Sequence, residues 1–335
     1  MSRLTSHRRV PTQTAFLALG IALSSASCSA IVAPDLRRLG PEAEVDAAVP
    51  PMTDAFVPLG VDAPITPIDT GPVATRIAPS NVDAALLDLG TRDLVIETAA
   101  SFDTTACTAT SAEARVLRQG DGSEVCGLLV RNARITEAGA LRVFGQRPLV
   151  VLASGDVEIA GTLDVSARGP ERGPGGGLGG TPAIPSGSGG VAGIGGETNG
   201  IYADGGGGGG GLCSPGGRGG RGGTASGGNR YDALPSVLEP LLGGGGGGLG
   251  PGGRRPLPDG NAGLGGGGGG ALQISARGTL RVRGRILAGG GAGGGGQPDE
   301  RFVNWGAGGG GGGGGGILLE ATTLRIEDGA SLLAS

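Results

Sequence analysis

The sequence predicts an all-β chain in which short strands wind into a β-solenoid. Three observations lead to this reading. Apolar and polar residues alternate in short runs, as in Val157-Glu158-Ile159 and Leu280-Arg281-Val282, and a period of two marks a strand with one buried face. Gly or Gly-Thr separates the runs and supplies sharp bends. The pattern also recurs: Leu149 to Val157 and Leu272 to Leu280 span the same interval, and Gly161 and Leu163 follow Leu149 at the offsets of Gly284 and Ile286 from Leu272. A β-sandwich could use the same strands, but equal offsets across so long a gap favour stacked coils.

The first element is a leader. Arg3, Arg8 and Arg9 precede an apolar run, Ala15 to Leu23, and then the small residues Ser24 to Ser27 and Cys28. This is the order of an export signal. The run is far shorter than the roughly 20 residues of a membrane-spanning helix. Ser25-Ala26-Ser27-Cys28 resembles a bacterial lipobox, which implies lipidation of Cys28. The usual Leu is displaced, since Leu23 stands two residues too early. Ordinary cleavage, for example after Ala30, is the alternative and gives a freely secreted protein. Residues 1–28 are thus read as a lipoprotein-type signal peptide. Residues 29–79 are read as a Pro/Ala/Asp-rich linker, because prolines interrupt every candidate element there. Residues 80–335 are read as the solenoid domain.

Within that domain the repeat has four copies. Leu128, Val130, Ile135, Leu141 and Val143 mark a loose first copy, and Pro148 to Gly169 the second. Ala271 to Gly291 is the third. Ile317, Leu319, Leu324, Ile326 and Leu332 mark the last, one residue shorter in its first turn and one longer in its second. One coil cannot bury its own apolar face, so stacking must make the core. Leu149, Leu272 and Leu319 are expected to form one internal ladder. Two Gly-dominated insertions, about 170–270 and 289–316, lie between copies. They admit two readings. Glycine pays the largest ordering entropy and buries no side chain, which favours flexible loops. Polyglycine can also form extended polyproline-II-like segments that pack closely and hydrogen-bond to one another.

Composition narrows the chemistry. The chain has 78 Gly among 335 residues and a net charge of −4, which argues against nucleic acid as an electrostatic partner. All 26 basic residues are Arg, and the single His, His7, lies in the leader. A Ser/His/Asp triad, a His-ligated metal and a phosphate-binding Lys are therefore not expected, and neither is a cofactor. GxGxxG recurs only as a consequence of the glycine runs. Arg218 and Arg221 resemble RGG units but read as solvated loop, and Asp204 and Asp259 do not recur as a calcium-binding nonapeptide would require. Cys107 and Cys126 flank a compact polar stretch and are expected to form a disulfide in an oxidising compartment. Cys213 is then a free thiol or an intermolecular link.

The repeat, from about Leu128 to Ser335, resembles the Gly-rich right-handed parallel β-helix proteins of bacterial surfaces. Its glycine tracts are similar to the PGRS half of mycobacterial PE-PGRS proteins, although the helical PE pair has no counterpart. The resemblance implies a right-handed parallel β-helix. The expected role is an exported cell-envelope scaffold, structural, adhesive or for display, without catalysis. Its partners would be envelope polysaccharide or a surface protein, and the membrane through a lipid anchor. It would be an outer-membrane lipoprotein or a secreted protein. The alternative is a carbohydrate-active β-helix enzyme, a polysaccharide hydrolase or lyase working through carboxylates. Glu158, Asp164, Glu171, Glu320 and Glu327 are the candidates. Glu158, Asp164, Glu320 and Glu327 are expected to face outward, with Arg281, Arg283 or Arg325 beside them.

Overall fold

The computed structural model describes residues 29–31, 77–189, 192–196, 206–219, 227–228, 238–251, 262–297 and 306–335. Cys28 and most of the expected linker lie outside the described residues. In chain order the first strands are β1 (Ser29–Ile31), β2 (Leu94–Ile96), β3 (Ala99–Asp103), β4 (Glu113–Arg118), β5 (Glu124–Val130), β6 (Ala133–Ile135) and β7 (Ala140–Phe144). They continue as β8 (Leu149–Ala153), β9 (Val157–Ile159), β10 (Thr162–Asp164), β11 (Ala271–Val282), β12 (Arg285–Leu287), β13 (Gly316–Ile326) and β14 (Ser331–Leu333). A 3-10 helix, Ala84–Asp88, is capped by the Asp83 carboxylate, which accepts from the Ala85 N–H at 2.9 Å.

These strands form two sheets. The larger has nine strands in the order β2-β6-β9-β11-β8-β5-β4, with β13 joining β11 to β1. The smaller is parallel throughout, in the order β14-β12-β10-β7-β3. The repeat offsets set the register. Leu149 pairs with Leu272, Val157 with Leu280, and Leu163 with Ile286. On the last strand, however, Leu272 pairs with Ile317, and Leu319 pairs with Ile274. The ladder expected through Leu319 therefore runs through Ile317. A register shift between Ala276 and Thr279 absorbs the missing residue of the last copy.

The expected right-handed parallel β-helix is corrected by this arrangement. The nine-stranded sheet is mixed, since β4 and β5 pair antiparallel from Glu113↔Leu129 to Arg118↔Glu124. Among the described residues the sheets make a half-barrel of parallel and antiparallel strands with essentially no helix. The hairpin has a local cause in Gln119-Gly120-Asp121-Gly122-Ser123. Gly122 takes a positive φ of 86°, a conformation with little steric cost for glycine. The Gln119 N–H donates to Ser123 O at 2.8 Å, and Asp121 accepts from the Ser123 N–H at 2.9 Å. This Asp-Gly turn reverses the chain where a further parallel coil was expected.

One core lies between the two sheets. Leu128, Val151, Ile274 and Leu319 fill it from the large sheet, and Leu141, Leu163 and Ile286 from the small one. A column of glycines makes the bend between the sheets. A Cβ on Gly161 would overlap Gly139 O, and one on Gly284 would overlap Gly161 O. The outer face of the β5-β8-β11-β13 strip is buried too. Val125, Leu129, Val150, Leu152 and Leu318 pack there beneath Val82, Leu87, Leu238 and Leu241. That is why β8 is buried at every position and shows no alternation in its sequence.

The described glycine tracts are ordered, and they form a body of their own. Segment 244–250 lies at its centre. The N–H groups of Gly244, Gly247 and Gly250 donate to segment 263–269, those of Gly245 and Gly248 to 208–211, and those of Gly246 and Leu249 to 185–188. Its carbonyls accept from Gly177 and Gly180, from Gly193 and Gly196, and from Gly310 and Gly313. Partners thus change with every residue and return every third one, the period of a polyproline-II helix. One segment is hydrogen-bonded to six neighbours, at N···O distances between 2.7 and 3.0 Å. At the glycines side chains are excluded on steric grounds, since a Cβ on Gly247 would overlap Gly310 O and one on Gly268 would overlap Gly244 O.

Gly247→Ala is expected to destabilise the fold by at least the ~1–3 kcal/mol typical of an overpacked interior. Gly217, with no atom within 4 Å of an added Cβ, should accept Ala at a cost below about 0.5 kcal/mol. Thermal melting of the two variants beside the parent checks the contrast. Equal melting temperatures would rule out the bundle.

Candidate functional site

The β3–β4 connection crosses one end of the core. Ala109, Ala112 and Ala114 pack against that core, while Thr108 stays exposed. Cys107 anchors the crossing. It is disulfide-bonded to Cys126 on β5, with Cα atoms 5.6 Å apart, as its position beside the compact polar stretch suggests. Its φ of 48° is unusual for a residue other than glycine. The Cys107 N–H also donates to Asp103 O at 3.0 Å. Closing a loop of this length stabilises the fold by about 3 kcal/mol in the chain-entropy account.

Beside this crossing lies a solvent-open cavity of about 450 Å³, lined by Thr91, Arg92, Thr108, Ala109, Ala112, Glu113, Ala114 and Leu129. Its second wall, Thr91-Arg92, precedes β2 and is equally well held. The Arg131 N–H donates to Arg92 O at 2.7 Å, and the Arg131 Nε donates to Asp93 Oδ1 at 2.9 Å. Asn132 Nδ2 donates to the same carboxylate at 3.0 Å. The hydrogen bond from Arg131 lowers the Asp93 pKa to about 2; slight desolvation opposes it and Asn132 adds to it. Glu113, at the rim, is ion-paired with Arg115. Among the described residues, neither the Arg92 guanidinium nor the hydroxyls of Thr91 and Thr108 have a protein partner.

Asp93 begins a polar column at the corner before β2, β6 and β9. Asn132 Oδ1 accepts from the Asp156 N–H at 2.9 Å, and Asp156 Oδ1 from the Thr279 N–H at 2.6 Å. Each side chain thereby satisfies the backbone of the next layer. Asp93, Asn132 and Asp156 each directly precede a strand, a recurrence that was available in the sequence. Arg92 and the two threonines carry no comparable signal.

The carboxylates suspected of catalysis are separately engaged. Glu158 bridges Arg134 at 3.1 Å and Arg283 at 2.6 Å, and Glu327 pairs with Arg281 at 2.8 Å. Asp164 pairs with Arg142 at 2.7 Å. Its burial opposes ionisation, yet the Ser166 backbone and side chain and Arg142 outweigh it, and its pKa is lowered. Glu171 closes a small bridge with Arg168 through the backbone. Glu320, expected to face outward, is buried at 6% exposure. It points to the outer face of the strip, but the segments carrying Ser80 and Leu238 cover that face. Its carboxylate accepts from Ser80 Oγ at 2.5 Å, Gln273 Nε2 at 2.9 Å and Ser275 Oγ at 2.7 Å. Arg325 stands in register with Arg281.

Cys28, the expected lipidation site, lies outside the described residues, as do Arg221, Asp204 and Asp259. Cys213 is disulfide-bonded, so its reading as a free thiol is corrected, and among the described residues no cysteine is free. Among the same residues, no three His, Cys, Asp or Glu side chains are grouped to hold a metal ion, and no helix is long and apolar enough to cross a membrane. No protein-family model, curated protein or solved structure matches the chain.

Two measurements check this geometry. Carboxyl NMR should show Asp93 titrating near pH 2, and Arg131→Gln should return it toward 3.8. The fold favours the ionised form, so the pair's contribution is complete above the unfolded value and is lost as pH falls through about 2. Glu320→Ala leaves several buried donors unpaired, each costing about 1–3 kcal/mol. A loss of at least 2 kcal/mol (order of magnitude) is expected in urea unfolding. A change under about 0.5 kcal/mol would show that the network is not formed.

Proposed function

We propose that the chain is an exported structural and adhesive scaffold of the cell envelope, held at the membrane through Cys28 or released, and that it engages envelope polysaccharide. The observation that carries this reading is the glycine bundle. Backbone hydrogen bonds run through it in several directions from each central segment, so its outer segments are held by a solid interior. Such a body resists deformation and presents its rim at fixed spacing. The rim bears exposed apolar side chains, Leu178, Ile184, Ile194 and Leu264, on segments hydrogen-bonded into the bundle. Adhesion through a preorganised surface avoids the ordering cost that a flexible loop pays on binding. The leader supports export. The leading basic residues, the short apolar run and Cys28 stand in the order of a lipid-attachment signal.

The test uses the full chain with purified envelope polysaccharide, following co-sedimentation and the release of new chain ends together. Co-sedimentation with no new ends is expected. New chain ends would overturn the scaffold reading in favour of cleavage, and absence of both would remove polysaccharide as the partner. A mass increment on the N-terminal peptide of the mature protein reports lipid attachment, and its absence leaves the released form.

A further inference from the structure

We infer that the cavity between Thr91-Arg92 and the disulfide-pinned crossing is a binding site for a carboxylated sugar, a uronic acid unit of a polymer. The inference rests on the proposed engagement of polysaccharide and names the unit recognised. Three features lead to it. First, Arg92 is an exposed cation without a partner among the described residues, at a site whose other charges are offset, since Glu113 is paired with Arg115 and Asp93 with Arg131. The site therefore carries about one uncompensated positive charge. A planar guanidinium matches one carboxylate in a two-pronged hydrogen bond, and a single charge suits a monoanion better than a phosphate monoester.

Second, the neighbouring polar groups are the hydroxyls of Thr91 and Thr108, which have no partner among the described residues. A hydroxyl both donates and accepts, as sugar hydroxyls require. The floor is small and apolar, made by Ala109, Ala112, Ala114 and the buried Leu129. It offers close contact to C–H groups, and no aromatic ring lines the cavity for a flat ligand to stack on. About 450 Å³ lies within the range of small-ligand sites and far exceeds the needs of a bare ion.

Third, both walls are fixed before any ligand arrives. The disulfide and the Asp103 carbonyl hold Cys107, and Thr105 O accepts from the Arg147 guanidinium at 2.7 Å. The Asp93–Arg131–Asn132 cluster holds the Arg92 side. Preorganised walls spend little binding energy on ordering.

The test is calorimetric titration of the full chain with digalacturonate and with its neutral counterpart galactobiose. Digalacturonate should bind at least tenfold more tightly. Arg92→Gln should weaken it at least tenfold, Arg92→Lys less, and Arg218→Gln, an exposed cation elsewhere, should leave Kd unchanged. Arg92 is exposed, so these variants should melt with the parent. Equal affinity of the parent and Arg92→Gln would overturn the site, as would equal affinity for charged and neutral sugars. Displacement by inorganic phosphate at equal concentration would overturn the choice of carboxylate. If the parent co-sediments with polysaccharide but fails to bind digalacturonate, this site falls and the scaffold reading stands.

Discussion

The contact on which the rest of the architecture depends is the approach of one peptide backbone to another with no side chain between them. In the glycine bundle a carbonyl oxygen occupies the place where a Cβ would stand, as Gly310 O does beside Gly247. That proximity lets each N–H find a carbonyl on a neighbouring segment. Glycine pays heavily in conformational entropy to be ordered and brings no apolar side chain in return. The offsetting contributions are dense backbone hydrogen bonding and contact between close-packed peptide planes. Neither survives loosening, because wider spacing breaks hydrogen bonds in several directions at once. Order in these tracts is therefore collective, and a single tract could not hold it alone.

Bundle and sheets share this geometry at their junction. Segment 263–270 runs directly into β11, and 306–315 into β13, and β11 and β13 are neighbours in the sheet. The segments stay neighbours within the bundle, where the Gly269 N–H donates to Gly313 O at 2.8 Å and the Gly316 N–H to Gly270 O at 3.1 Å. Gly270 also donates to Val165 O, and Val165 to Leu287 O, which ties the bundle to the end of β10 and β12. Strand spacing of about 4.8 Å in a sheet is thus handed on to the glycine segments, and the apolar core supplies the template that aligns them. The described glycine segments between residues 170 and 270 are consequently a second layer of the fold, hydrogen-bonded to the first.

Much of the sheet register was legible in the sequence, because it depends on side-chain periodicity. Leu149, Val157 and Leu163 find Leu272, Leu280 and Ile286 as their spacing demands. The hairpin between β4 and β5 escaped because its signal is the local turn at Asp121-Gly122, with no repeat to mark it. Glu320 was misjudged for a different reason. Alternation correctly assigns it to the face opposite Leu319, but alternation cannot reveal that a segment some 240 residues earlier covers that face. The glycine tracts left two states open, since a homopolymer carries no pattern that distinguishes a hydrogen-bonded lattice from a coil. The cavity was hidden most thoroughly. Thr91, Arg92 and Thr108 are ordinary surface residues, brought together only by the crossing that Cys107 anchors.

This division of labour bears on how such a molecule can carry function at all. The glycine positions of the bundle leave no room for a side chain and so little for chemical variety, and the alternating strands spend theirs on one core. Chemical variety is left to the edges, such as the exposed rim positions Leu178 and Ile194, the arginine–carboxylate pairs outside β9 and β11, and the crossing at the end of the core. Of these, the β9–β11 carboxylates are paired with arginines. The end crossing combines a cavity, an uncompensated cation and two rigid walls. Rigidity supplied by backbone contacts elsewhere in the fold is what allows so few unpaired groups to act together as one site.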